Sequence, residues 1–202
     1  MKNLLIIIIC ISLHSTGFSQ ISVGNDQVMP YIGEIAAVKK GSNWGFINKS
    51  GVLVVDFRND YVLTKNKNTA HLHPVFNNER CLITKLIDDV YYYGYIDTTG
   101  KEIIPATYLN ASNFKDGYAI VSTLLKDSIG YNKVLNKSIT SYKIEEYVID
   151  NSGELIKYLE NPLIYDSQKM RSKTPPSLRS KFIAPHLIAV LKKNQKWDIY
   201  KF

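Results

Sequence analysis

Cysteine is scarce in this chain of 202 residues. Its two cysteines, Cys10 and Cys81, are too few for a disulfide-stapled miniprotein or for a zinc or iron–sulfur site held by several thiolates. A membrane-spanning helix needs about 20 apolar residues, whereas the run at 4–13 has only ten. Glycine and proline are not enriched, and 45% of the residues are hydrophobic, which excludes collagen and wholesale disorder. The composition predicts an ordinary globular domain.

The apolar run at 4–13 has the layout of a secretory leader. It follows Lys2, and Gly17 and Ser19 place small residues at −3 and −1 for cleavage before Gln20. The sequence therefore predicts a signal peptide at 1–19, export to the periplasm or the extracellular space, and one mature domain at 20–202. A retained N-terminal anchor is the alternative. The remaining thiol, Cys81, lies in an apolar triplet and is predicted to be a buried hydrophobe.

Self-similarity is the most informative feature of the mature chain. The segment WGFINKSG at 44–51 is echoed by YGYIDTTG at 93–100 and by EYVIDNSG at 146–153, and WDIYKF at 197–202 is a truncated fourth echo. The lead positions are separated by 49, 53 and 51 residues. Such a near-constant period indicates about four degenerate units.

The local chemistry of each echo favours a β-hairpin. Aromatic and β-branched residues run into an Asx-containing turn that ends in glycine, and a second apolar strand follows. A small-apolar strand also precedes each echo. We therefore predict an all-β protein of tandem antiparallel hairpin repeats that form either an open twisted sheet or a propeller-like array. A plain exported β-sandwich with chance similarities is the alternative.

The pattern resembles the WG repeat family of bacterial proteins. The closest stretch is 94–121, where GYIDTTGKEIIPATY is followed by Phe114, Gly117, Ala119 and Val121. The resemblance implies a β-rich repeat scaffold with no common catalytic residue. The Trp-Gly pair itself occurs once, because the later echoes begin with Tyr-Gly, Glu-Tyr and Trp-Asp.

The residues that catalysis or metal binding would use are poorly arranged in the sequence. His71 and His73 would share one face of a strand, but two ligands do not make a site, and we expect both in a surface loop before Pro74. Asp88-Asp89 and Glu145-Glu146 are adjacent pairs whose side chains would face opposite ways on a strand, and we expect them to be solvated. The sequence predicts no enzyme, no cofactor and no metal; a hydrolase or metal-dependent enzyme with a dispersed site is the alternative.

The net charge of +7 is unevenly distributed. Residues 167–197 hold eight basic and no acidic side chains, whereas residues 20–166 hold 15 basic and 17 acidic ones. The segment 167–181, with Pro175-Pro176, is predicted to be an extended basic loop. The predicted ligand-binding residues are this loop's cations and two aromatic residues outside the repeat pattern: Lys169, Arg171, Lys173, Arg179, Lys181, Tyr91 and Tyr92.

These features predict a non-catalytic scaffold or binding module of the bacterial cell envelope. Its expected partner is an envelope protein or a glycan, with weak contact between the basic loop and an anionic surface. We expect no nucleic-acid partner, since the chain has no nucleic-acid-binding motif, and no membrane-spanning segment. A purely structural envelope protein is a further alternative.

Overall fold

The computed structural model describes residues 24–65, 71–165 and 176–202. The predicted signal peptide at 1–19 and residues 167–175 of the predicted basic loop lie outside these ranges. Every regular element in the described ranges is a β-strand, so the predicted all-β class is confirmed. The described part of the chain holds no helix of the length and hydropathy that a membrane span needs.

The strands form four main antiparallel sheets and one small sheet, in chain order. Sheet 1 contains β1 (Gln27–Val28), β2 (Ile35–Lys40), β3 (Asn43–Asn48) and β4 (Leu53–Arg58). The small sheet pairs β5 (Thr64–Lys65) with β6 (Leu72–His73). Sheet 2 contains β7 (Phe76–Asn77), β8 (Arg80–Ile87), β9 (Val90–Ile96) and β10 (Glu102–Tyr108). Sheet 3 contains β11 (Asn110–Ala111), β12 (Tyr118–Asn132), β13 (Lys137–Asp150) and β14 (Leu155–Tyr158), with β15 (Leu163–Tyr165) paired to β13. Sheet 4 contains β16 (Ser180–Ala184), β17 (Leu187–Leu191) and β18 (Trp197–Lys201).

Each main sheet is one repeat unit. The echo segments form β3, β9, β13 and β18, and each pairs with the small-apolar strand before it. Three units begin with an edge strand and end with the strand that follows the echo, so their spatial order equals their chain order. The units therefore form separate open sheets rather than one continuous sheet.

The turn after each complete echo has the predicted chemistry. Asn48 Oδ1 accepts hydrogen bonds from the backbone N–H groups of Ser50 and Val52, both at 3.0 Å. Asp97 and Asp150 accept the equivalent pairs in the next two units. The glycine that ends each turn has φ between 75° and 89°, a conformation that side chains with a Cβ rarely adopt.

The apolar core lies between the sheets. Ala37, Phe46 and Val55 of sheet 1 pack with Cys81 and Ile83 of sheet 2. Leu82 and Tyr95 of sheet 2 belong to a second cluster with residues of sheet 3, and a third cluster joins sheets 3 and 4. Alternate residues of β8 thus face different neighbours, as strand geometry requires. Each unit relies on the next to cover its apolar face.

The burial of Cys81 follows from this stacking. Its side chain is fully buried in the cluster between sheets 1 and 2. Burial raises the pKa of the thiol far above its ordinary value, because a thiolate would lose its hydration there. The predicted role as a buried hydrophobe is confirmed.

Candidate functional site

A cavity of about 800 Å³ is bordered by all four repeat units. Its described lining residues come from the edge strands, from the segments next to them and from the small sheet: Tyr31, Ile32, Thr64, Lys65, Val75, Asn77, Ser112, Asn113, Phe114, Lys115, Ile120, Ser180, Lys181 and Phe182. Ligand pockets in proteins commonly measure 300–1,000 Å³. This cavity therefore has the size of a small-molecule or short-oligosaccharide site.

The stacking of the sheets explains why the units meet here. The strands β7, β11 and β16 each lie at the edge of their sheet, with one hydrogen-bonded neighbour. Because consecutive sheets pack face to face, their corresponding edges align. The segment at 31–32, between β1 and β2, and the strand β5 complete the wall. No single unit could form this cavity.

Hydrogen bonds and ring contacts hold the wall in place. Ser112 Oγ accepts a hydrogen bond from the backbone N–H of Ile120 at 2.9 Å. The carbonyl of Ser112 accepts one from the hydroxyl of Tyr95 at 2.7 Å. The buried ring of Phe114 packs edge-on against that of Tyr95, with 4.8 Å between centroids. A wall fixed in this way is pre-organised, which lowers the entropic cost of binding.

Three lysines give the cavity a positive charge. Lys65, Lys115 and Lys181 line it and are exposed, and its described lining contains no acidic residue. The ammonium of Lys181 also lies 4.7 Å from the centroid of the ring of Trp197, a residue that does not line the cavity. Such a cavity favours a ligand that carries carboxylate, sulfate or phosphate groups.

Ser180 connects the cavity wall to a buried carboxylate. Its hydroxyl donates to Glu146 Oε2 at 2.5 Å, and the side-chain amide of Asn161 donates to the same oxygen at 2.7 Å. The backbone N–H of Arg179 donates to Glu146 Oε1 at 2.5 Å. Glu146, Asn161 and Ser180 are all buried. This arrangement, called here the Glu146 cluster, fixes the start of β16 against β13.

The prediction that Glu145 and Glu146 are solvated is wrong, since they are 7% and 4% exposed. They do face opposite ways, and each has its own partners. Although burial of Glu145 favours the neutral acid, hydrogen bonds from Tyr147 and Lys143 hold the pKa of its carboxyl below the ordinary value. The two lie inside the long strand β13, and sheet 4 and the chain around Asn161 cover the Glu146 side of that strand.

The prediction of a surface loop for the histidines is right for His71 and wrong for His73. His73 is 1% exposed, and its ring centroid lies 6.4 Å from that of Trp44. It ends the short strand β6, which pairs with β5 and turns the ring inward. Within 24–65, 71–165 and 176–202, no three His, Cys, Asp or Glu side chains converge closely enough to hold a metal ion.

The structure places the predicted cations of the basic loop in different environments. Lys169, Arg171 and Lys173 lie outside the described residues. Arg179 is half-buried, and its guanidinium donates to the carbonyls of Asn161 at 3.4 Å and Lys192 at 3.0 Å. These bonds tie its side chain to the segments around Asn161 and Lys192, and its ligand-binding role stays a prediction. Lys181 lines the cavity, and it is the second residue of β16 (Ser180–Ala184), so the predicted loop ends before it.

Tyr91 and Tyr92 lie at a different place in the molecule. They follow the two-residue turn between β8 and β9, in which Asp88 and Asp89 both have positive φ. Tyr91 is 39% exposed and pairs with Leu86, which is 50% exposed, whereas Tyr92 is half-buried. Neither residue lines the cavity. Their binding role stays a prediction.

Sequence reasoning missed Lys65, Lys115 and the Glu146 cluster. No local motif marks Lys65 or Lys115, because the cavity exists only once the sheets have stacked. For Glu146, the sequence did contain an indication that its side chain is buried. It occupies the repeat position that Trp44 and Tyr93 fill in the first two units, and an acidic residue at a buried aromatic position requires buried hydrogen-bond donors.

Comparison with known proteins supports the repeat assignment. A family model described as WG containing repeat matches residues 44–64 and 93–123. The matched stretches cover β4 and β10 in full and β3 and β9 in part, and they reach into β12. The third and fourth echoes lie outside them, although they form strands with the same pairing. Neither a curated protein nor a solved structure matches the chain.

Proposed function

We propose that this protein of the WG-repeat family is a non-catalytic binding module of the bacterial cell envelope that contacts a protein or glycan partner. The observation that carries a binding role is the cavity shared by all four units. Loops and edges held by a rigid repeat scaffold are a common place for binding residues. Export through residues 1–19 is part of the proposal and follows from the leader sequence alone.

Of the two kinds of partner, a glycan with acidic groups fits the cavity better. Its lysines match carboxylates or sulfates, and Asn77 and Asn113 offer amide groups for sugar hydroxyls. Tyr31 and Phe182 are partly exposed aromatic residues on its wall, and aromatic faces stack on the apolar faces of sugar rings. Bacterial envelopes are rich in such polymers, which agrees with the proposed location.

The non-catalytic part of the proposal rests on how the cavity's hydroxyl groups are used. The Ser180 hydroxyl donates to Glu146, and the Ser112 hydroxyl accepts from Ile120 and donates to the carbonyl of Asn113. An activated serine needs an adjacent general base and an oxyanion hole. Ser112 has backbone partners instead. The Glu146 carboxylate, which accepts from Ser180, also accepts hydrogen bonds from the Asn161 side chain and the Arg179 backbone N–H.

The test is a titration of the protein with a uronic-acid oligosaccharide and with a neutral glucan of the same length. We expect saturable binding of the acidic ligand only. The triple variant K65A/K115A/K181A should weaken that binding by about tenfold or more for each lost ion pair. The control K40A/K101A/K193A removes the same charge from exposed lysines outside the cavity and should bind normally.

Two results would contradict the proposal. Equal weakening by both triple variants would show that net charge alone attracts the ligand. No saturable binding of any envelope glycan or protein would favour the purely structural alternative. Cell fractionation tests location separately, because deletion of residues 1–19 should leave the protein in the cytoplasm.

A further inference from the structure

The hairpin of β12 and β13 projects beyond the stacked sheets. Its strands have 15 and 14 residues, whereas the corresponding strands of the other units have five to eight. The part near the sheets packs in the core through residues such as Ile120 and Val148. Residues 128–140, called here the hairpin tip, are exposed or half-buried throughout. Because of this extension, Val121 of the small-apolar strand lies 25 residues before the echo at 146, whereas Val38 lies 6 residues before the echo at 44.

The hairpin tip carries an unusual number of exposed apolar side chains. Val134 and Leu135, in the turn itself, are 93% and 65% exposed. Ile129, Tyr131 and Ile139 on the adjoining strands are 65%, 56% and 47% exposed. Single exposed apolar residues are ordinary, but a contiguous group at a protruding position marks an interaction site.

The turn holds these side chains outward in a defined geometry. Asn132 Oδ1 accepts hydrogen bonds from the backbone N–H groups of Val134 and Leu135, both at 3.0 Å. The hydroxyl of Tyr131 donates to the side-chain oxygen of Asn136, which itself has a φ of 50°. Local side chains thus satisfy the backbone N–H groups of Val134 and Leu135, and the side chains of both residues stay exposed.

Apolar residues occupy both faces of the ribbon. Tyr131 pairs with Ser138, and Gly130 pairs with Ile139. Because neighbouring pairs point to opposite faces, Tyr131 and Ile139 face opposite ways. A flat protein partner would cover one face and leave the other in water. A medium that surrounds the hairpin tip would cover both.

The charge of the hairpin tip specifies that medium. Lys133 and Lys137 flank the turn, and residues 128–140 contain no acidic residue. The nearest carboxylate, Asp127, lies 3.5 Å from the ammonium of Lys143 and is therefore partly neutralised. The apolar side chains of the turn, flanked by these two lysines, match the interface of an anionic bilayer, where hydrocarbon lies next to negatively charged phosphate groups.

We propose that the hairpin tip inserts into the headgroup region of a bilayer that contains anionic phospholipid. Val134 and Leu135 enter the boundary with the acyl chains, and the two lysines contact the phosphates. The insertion is shallow, because no strand in the described part of the chain pairs with the outer edges of the ribbon at 128–140. Backbone groups without partners cannot enter hydrocarbon. The hairpin tip lies at the far end of β12, whereas sheet 3 lines the cavity with residues 112–115 and with Ile120, near the start of β12. Membrane contact thus leaves the cavity accessible.

A tryptophan placed at the tip of the full chain tests the insertion. The L135W variant is mixed with vesicles of equal parts phosphatidylcholine and phosphatidylglycerol, brominated near the top of their acyl chains. The control is I199W, since Leu135 and Ile199 are equally exposed at 65% and both variants keep the apolar leader. We expect strong quenching and a blue shift for Trp at 135, little change for Trp at 199, and little change with pure phosphatidylcholine.

Two variants then test the chemistry by vesicle sedimentation. V134D/L135D should weaken binding by about tenfold or more, and K133A/K137A by about fivefold for each lysine, with the remaining binding less sensitive to salt. The exposure of these residues means that each variant keeps the fold.

Equal quenching at 135 and 199, or equal quenching with neutral vesicles, would overturn the proposal. A blue shift at 135 that grows with protein concentration without lipid would show that a second copy covers the tip, and would overturn it too.

Discussion

The hydroxyl of Ser180 in sheet 4 donates a hydrogen bond to the carboxylate of Glu146 in sheet 3, at 2.5 Å. Glu146 stands at the repeat position that holds Trp44 and Tyr93 in the first two units. The third repeat thus replaces an aromatic contact by a buried polar one. This bond also places Ser180 in the cavity wall, so the stability of the sheet interface and the shape of the cavity depend on the same residue.

Substitution of Glu146 by alanine should therefore destabilise the protein strongly. It would leave buried donors of Ser180, Asn161 and the Arg179 backbone without their acceptor, and we expect a loss of about 3 kcal/mol in the free energy of unfolding. Urea denaturation measures it. The control E154A removes an exposed glutamate of the same sheet and should change stability by no more than about 0.5 kcal/mol. Similar effects of the two substitutions would refute the interface role.

Glycine stands at the second position of the first two echoes, as Gly45 and Gly94, and permits the strand that follows each echo to cross close to it. A second prediction tests this close strand crossing. A Cβ on Gly94 would lie 2.6 Å from the backbone N of Ala106 and the carbonyl of Ile104, whereas one on Gly45 would lie 3.0 Å from the carbonyl of Val55. We expect G94A to cost about 3 kcal/mol and G45A about 1 kcal/mol. Thermal and urea unfolding measure both.

The control is G130A, because a Cβ there would meet only the side-chain end of Ile139, at 3.8 Å. It should be neutral within about 0.5 kcal/mol. If G94A proved as harmless as G130A, the glycine would not serve the strand crossing. In the third unit Tyr147 holds this position and pairs with Tyr158, directly followed by the pair of Val148 and Lys157, so no crossing requires a glycine there.

The repeat pattern was sufficient to predict the strands and turns, because both depend on short-range chemistry. Asx side chains and a terminal glycine define the turn after each echo wherever the chain places them. The stacking of separate sheets depends instead on which faces bury each other, and the sequence left a single twisted sheet equally open. The cavity follows from that stacking, so Lys65 and Lys115 could not be recognised from their neighbours in the chain.

Long-range partners also explain the wrong predictions. Glu146 is bonded to Asn161 and Ser180, which lie 15 and 34 residues away, and a buried carboxylate is tolerable only with such donors. His73 is buried beside Trp44, in the preceding unit. Pro74 next to it favoured a loop, but Pro74 is itself buried.

A third prediction concerns acid stability. The hydroxyl of Ser152 donates to Asp150 Oδ1 at 2.7 Å, and this bond, together with backbone N–H groups of the turn, lowers the pKa of the Asp150 carboxyl. A carboxyl whose pKa is lower in the folded state stabilises the fold above its unfolded pKa of about 3.9. That contribution is lost as the pH falls through the folded pKa.

The D150N variant isolates this effect, because Asn48 forms the same turn in the first unit with an amide. We expect wild type to be more stable than D150N at pH 7, and the difference to shrink as the pH falls below about 5. Urea midpoints at a series of pH values measure it. A difference that stayed constant between neutral and acidic pH would show that the carboxylate's charge does not matter to the turn.

The last prediction separates two basic residues that lie two positions apart. The R179A variant would lose hydrogen bonds from the guanidinium to the carbonyls of Asn161 and Lys192, and should lose about 1–2 kcal/mol of stability without weakening acidic-oligosaccharide binding at a temperature where it is folded. The K181A variant loses the ammonium of a cavity-lining residue and its cation–π contact with Trp197. It should therefore bind about tenfold more weakly while losing no more than about 1 kcal/mol of stability. Calorimetric titration and urea unfolding on both variants measure the two effects. The opposite result, with R179A impairing binding and K181A leaving it intact, would place the anion site at Arg179, which does not line the cavity.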